Sequence, residues 1–171
     1  MASARPFGSA PESCASALAI KREAARRYLE FAELVDEHGD WETAALFREM
    51  ARFEEERAAA LAAHAARLAI PEAEAWRYSW IDDAPSEKVS RELVYHLMTP
   101  HDALAIALGA EKRALAFFEA LRAKAQDAGL RRLAGDIAEE EGRRIARLEE
   151  AMRCVPRPFH YGEDYEAFVM R

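Results

Sequence analysis

A charge in the middle of an apolar helical stripe, repeated four times along 171 residues, limits what this chain can become more than any other feature. Positions three, four and seven apart share one face of a helix, so reading at that period separates inward charges from solvated ones. The first stripe runs Leu18, Lys21, Ala24/Ala25, Tyr28, Phe31/Ala32 and Val35; Glu23, Arg26, Arg27, Glu30 and Glu33 fall on the opposite, wet face. The second runs Phe47, Met50/Ala51, Glu54, Arg57/Ala58, Leu61, Ala65 and Leu68, which leaves Glu55 and Glu56 outside. The third is Leu104, Ala107/Leu108, Glu111, Ala114/Leu115, Phe118 and Leu121, and the fourth is Leu133, Ile137, Glu141, Arg144/Ile145, Leu148 and Met152. The inward charges are therefore Lys21, Glu54, Arg57, Glu111, Glu141 and Arg144.

Four amphipathic helices of this kind predict an all-α bundle. A charge inside a bundle is costly unless it is paired or binds a metal, so four helices that each place one there imply a shared internal site. Two antiparallel hairpins joined by a long crossover account for the spacing of the stripes.

The pattern resembles the ferritin-like superfamily and, within it, the rubrerythrin-like branch, whose bundle holds two iron ions on glutamates and histidines. The resemblance rests on Tyr28 and Ala32 in the first helix, Ala51 in the second, Ala114 and Phe118 in the third and Ala138 in the fourth. It also rests on the 33 residues from Lys21 to Glu54 and the 30 from Glu111 to Glu141, and it covers residues 14 to 155. It implies that Glu54, Glu111 and Glu141 stand where the family has ligand glutamates. Lys21 stands where the first helix supplies a further glutamate, and Arg57 and Arg144 stand where Glu-x-x-His supplies histidine. Ammonium and guanidinium groups have no lone pair for a metal, so the usual two-metal site is not expected to assemble. Three carboxylates then face three cations, a formal sum of zero, and the former metal site becomes an internal ion-pair network.

Taken in order, residues 1–12 read as a flexible arm without the apolar run of a leader peptide, and residues 13–155 as the bundle. The first helix is expected from Ser13 or Ser16 to Glu37, with Gly39 terminating it and Asp40 capping the second helix, which closes near Ala69. The crossover, residues 70 to 100, holds Trp76, Tyr78 and Trp80 and a short extra helix from Glu87 to His96 capped by Ser86. Thr99-Pro100 starts the third helix, which runs to about Ala125; the turn Gln126–Gly129 follows, and the fourth helix ends near Cys154. Residues 156–171, rich in aromatics, are expected to dock on the bundle or on a partner subunit. His64 reads as a packing histidine rather than a displaced ligand, and His96, His101 and His160 as structural or solvated.

A net charge of −7 and a pI near 5.3 argue against nucleic acid or an anionic membrane as partner. Cys14 and Cys154 fall at opposite ends of the bundle, too far apart for a disulfide, which suits a reduced, cytoplasmic setting. The favoured function is non-catalytic: a rubrerythrin-like protein with a degenerate metal site, acting through self-association as a homodimer or through a protein partner, with no cofactor. The alternative is an iron-handling or peroxide-detoxifying oxidoreductase in which Glu54, Glu111 and Glu141 hold iron or another divalent metal. A third reading is a small-molecule pocket whose arginines grip a carboxylate or phosphate.

Overall fold

The computed structural model describes residues 10–68 and 98–158. Four helices account for almost all of them: α1, Ala10–Glu37; α2, Trp41–Arg67; α3, Pro100–Lys124; and α4, Ala128–Cys154. The sharp return between α1 and α2 depends on Gly39, whose φ of 77° lies in the left-handed region that a side chain disfavours. Its N–H donates to the Asp36 carbonyl at 2.8 Å, and the Asp40 carboxylate accepts from Thr43 N at 3.0 Å to start α2. Thr99 and Asp102 form a reciprocal capping box at the head of α3, with Pro100 at the first helical position. Asp127 caps α4 by accepting from Leu130 N at 2.7 Å.

Two boundaries differ from expectation. α1 starts at Ala10, so residues 10–12 belong to the helix and not to the arm; Pro11 is tolerated in a first turn, and Glu12 suits the positive end of the helix. Ala128 and Gly129 lie in the first turn of α4, because Asp127 caps the helix two residues earlier than the expected turn allows. Trp76, Tyr78, Trp80, Ser86, the helix expected from Glu87 to His96, His160 and all of the aromatic tail beyond Pro158 lie outside the described residues.

The core has two apolar halves. One joins Ala24–Val35 of α1, Ala44–Ala51 of α2, Met98–Ala110 and Leu148. The other joins Cys14–Ile20, Ala58 and Leu61, Ala114–Leu121 and Leu130–Ala138. The first half thus gathers the C-terminal part of α1 with the N-terminal parts of α2 and α3, so α2 and α3 run one way and α1 and α4 the other. Since α2 ends in one half and α3 begins in the other, the chain between them has to traverse the bundle lengthwise. Between the two halves lies a polar layer.

Candidate functional site

Each helix contributes to that layer: Lys21 from α1, Glu54 from α2, Glu111 from α3, and Glu141 and Arg144 from α4. These five side chains are at most 4% exposed, although their unpaired burial would cost several kcal/mol each. They gather because their stripes converge on one level, and they persist there because they are paired. Lys21 Nζ lies 2.9 Å from Glu54 Oε2 and donates to Glu141 Oε1. Arg144 reaches all three carboxylates, with Nη2 at 3.0 Å from Glu54 Oε1 and 2.8 Å from Glu141 Oε1, and Nε at 3.3 Å from Glu111 Oε2. The Lys21 ammonium also faces the Phe118 ring, 5.0 Å from its centroid.

Two further groups complete the layer. The buried Tyr28 hydroxyl donates to Glu111 Oε1, held in place by stacking of its ring on Phe47 at 5.9 Å. Glu140 sits at the flank, 3.9 Å from Arg144 and bonded by the Arg57 guanidinium. Tyr28 is two helical turns from Lys21 on the same face, so its position was legible as packing but not its bond to a carboxylate on another helix. Glu140 was assigned to the wet face; its spacing of four from Arg144 is the signal that marks it as a neighbour of the site.

Arg57 does not join the inner set. Its side chain is 30% exposed and pairs with Glu140 at the rim. The inward line of α2 passes through Ala51, Glu54, Ala58 and Leu61, which puts Arg57 at the edge of the stripe. A single guanidinium, Arg144, already spans all three carboxylates. The inner set therefore sums to −1, three carboxylates against two cations, and not to zero. Arg27 also departs from expectation: it is buried, with its guanidinium donating to Glu23 and Glu30 one turn to either side.

Most of the polar contacts of this region tie one hairpin to the other. Glu49–Arg147 at 2.7 Å, Glu54–Arg144, Arg57–Glu140 and His64–Asp127 at 2.7 Å form an antiparallel ladder along α2 and α4. On the other side, Lys21 reaches Glu141 and Tyr28 reaches Glu111. His64 belongs to this ladder and to the close approach of Gly129, ten residues or about 15 Å along α2 from Glu54.

Burial and the facing Glu141 push the Glu54 carboxyl above the usual carboxylate range, and Lys21 and Arg144 pull it back only in part. Arg144 is held charged by Glu54 and Glu141 against its own burial. Oxygens of Glu54, Glu111 and Glu141 converge to within 4.8 Å of one another, the only such grouping of potential metal-ligating side chains among the described residues. The set does not fit a two-metal centre. The groups that stand among those oxygens are an ammonium and a guanidinium, which repel a cation and offer it no lone pair, and the layer holds no histidine.

A ferritin-like domain model matches residues 1–70. The solved structure of COG1633, an uncharacterized conserved protein from Magnetospirillum magnetotacticum MS-1, superposes with a TM-score of 0.73 at 30% sequence identity, over 90% of this chain and 99% of that one. The chain belongs to the ferritin-like superfamily. No curated protein matches it. The crossed arrangement of helices described above is thus a ferritin-like four-helix bundle, and its ionic layer lies at the level where the four helices of such a bundle converge.

Proposed function

We propose that this protein is a rubrerythrin-like member of the superfamily in which a buried ion-pair network replaces the di-iron ligands, leaving a degenerate, non-catalytic site, and that it acts by associating with itself or with a protein partner. The observation that carries this reading is the placement of Lys21 and Arg144, whose cationic groups take up the carboxylate oxygens that a metal would need. The network keys the two hairpins to one register, a use for which buried polar groups are suited even where they add little net stability. Self-association as a homodimer is favoured by apolar side chains left at the surface: Trp41 is 76% exposed, and Leu29 lies over a groove floored by Ala25, Ala58, Ala59 and Ala62. Two free cysteines fit a reducing, cytoplasmic compartment, and among the described residues no helix is long and apolar enough to cross a membrane.

Ferrous iron added without oxygen and then exposed to air tests the reading. Oxidation no faster than in buffer alone is the expected result; oxidation that is fast and lost in Glu141→Gln would establish a working metal site instead. Sedimentation velocity on the same protein is expected to give a dimer.

A further inference from the structure

The ionic centre is one positive charge short. Glu54, Glu111 and Glu141 bring three negative charges and Lys21 and Arg144 two positive ones, because Arg57 is engaged by Glu140 at the rim. A surplus carboxylate in a dry interior costs far more than the corresponding neutral acid.

Hydrogen bonding singles out which carboxylate is least supported. Glu111 accepts from the Tyr28 hydroxyl and from Arg144 Nε. Glu141 accepts through Oε1 from both Lys21 and Arg144. Glu54 has cations 2.9 and 3.0 Å away, yet neither of its buried oxygens accepts a directed hydrogen bond, and Oε2 of Glu141 is also unfilled. The layer thus lacks one donor and one positive charge at the same place.

We propose that the centre binds one proton, carried by the Glu54 carboxyl at neutral pH, with the unfilled Oε2 of Glu141 as an available acceptor. The proton makes the layer neutral, setting Lys21 and Arg144 against Glu111 and Glu141, and supplies the missing donor. This rests on the metal-free reading above and adds to it a regulation of the same site by pH. The groups facing Glu54 are Lys21 of α1, Glu111 of α3, and Glu141 and Arg144 of α4, with Tyr28 and Glu140 beyond them. Burial raises the proton affinity of Glu54 most, Glu141 adds to it, and the two cations oppose it. A carboxyl whose folded-state pKa exceeds its unfolded value near 4.5 contributes stability that is complete below that value and is lost as pH rises through the folded one. The bundle therefore loosens toward alkaline pH.

The test compares wild type, Glu54→Gln and Glu141→Gln by denaturant unfolding across pH, with infrared spectra of the wild type. An amide is the neutral isostere of a protonated carboxyl. The Glu54→Gln unfolding constant at pH 7 is expected within about threefold of wild type, with the alkaline weakening abolished, whereas Glu141→Gln raises it on the order of a hundredfold or more. The wild-type spectrum at pH 7 is expected to hold a carboxylic-acid carbonyl band that Glu54→Gln lacks. A Glu54→Gln protein as damaged as Glu141→Gln, or unable to fold, overturns the proposal, and so does a wild-type spectrum without that band. Stabilisation of wild type by sodium or potassium chloride but not choline chloride also overturns it, since an alkali ion would then close the charge balance. Metal content measured on the same preparation separates the two readings: bound divalent metal refutes the ion-pair centre, while metal-free protein without the acid band refutes the proton alone.

Discussion

Arg57 and Arg144 occupy equivalent positions in the sequence pattern, three residues after Glu54 and Glu141, yet their surroundings predict different costs of removal. Arg144→Met leaves Glu54, Glu111 and Glu141 facing Lys21 alone in a layer closed to water, and breaking a buried pair costs ~3–5 kcal/mol. For a domain of this size each kcal/mol moves the midpoint by about 2–4 °C, so the melting temperature should fall by roughly 6–20 °C. Arg57→Met removes a pair whose two side chains are 30% and 21% exposed, which is worth ~0–1 kcal/mol and at most about 4 °C. Methionine keeps much of the packing of the arginine stem in both variants, so the contrast isolates the charge. Urea unfolding followed by circular dichroism, with chelator present, gives both values. Equal costs for the two variants, or a greater cost at Arg57, would refute the assignment of Arg144 as the hub and Arg57 as a rim residue.

Gly129→Ala should destabilise by about 1 kcal/mol and displace His64 from Asp127, because a Cβ there comes 2.5 Å from His64 Cε1; the melting temperature and the His64 ring signals check it. Thr99→Ala removes one half of the capping box and should cost ~1 kcal/mol, read as a lower midpoint in the same unfolding assay. On the acid side, the Arg147 hydrogen bond holds Glu49 below its ordinary value, and the Leu130 N–H followed by His64 does the same for Asp127. Both contributions are complete above the unfolded values of 4.5 and 3.8 and are lost as pH falls through the folded ones, so an acid titration of wild type should unfold more steeply than one of Arg147→Met.

The fold was legible because its signals are local and mutually consistent: the 3.6-residue stripes, Gly39 with Asp40, and Thr99 with Pro100 each carry their own physical reason. Five of the six inward charges gather as their stripes indicate, since a residue at the centre of a stripe has nowhere else to point. Arg57 escaped that logic because it lies at the stripe's edge, where a long side chain chooses between the interior and a carboxylate at the rim. That choice was settled by Glu140 and Arg144 on α4, 83 and 87 residues further along the chain. The role of Tyr28 was hidden for the same reason, as its acceptor lies on another helix. Arg27 is buried off the inward stripe, and helical period alone does not signal it.

The central claim is that side-chain cations, and not metal ions, neutralise the carboxylates of this ferritin-like bundle. Elemental analysis of protein purified without chelator, before and after incubation with ferrous iron and desalting, tests it most directly. The account predicts far less than one equivalent of any transition metal per chain in both samples; about two equivalents of iron retained per chain would contradict it.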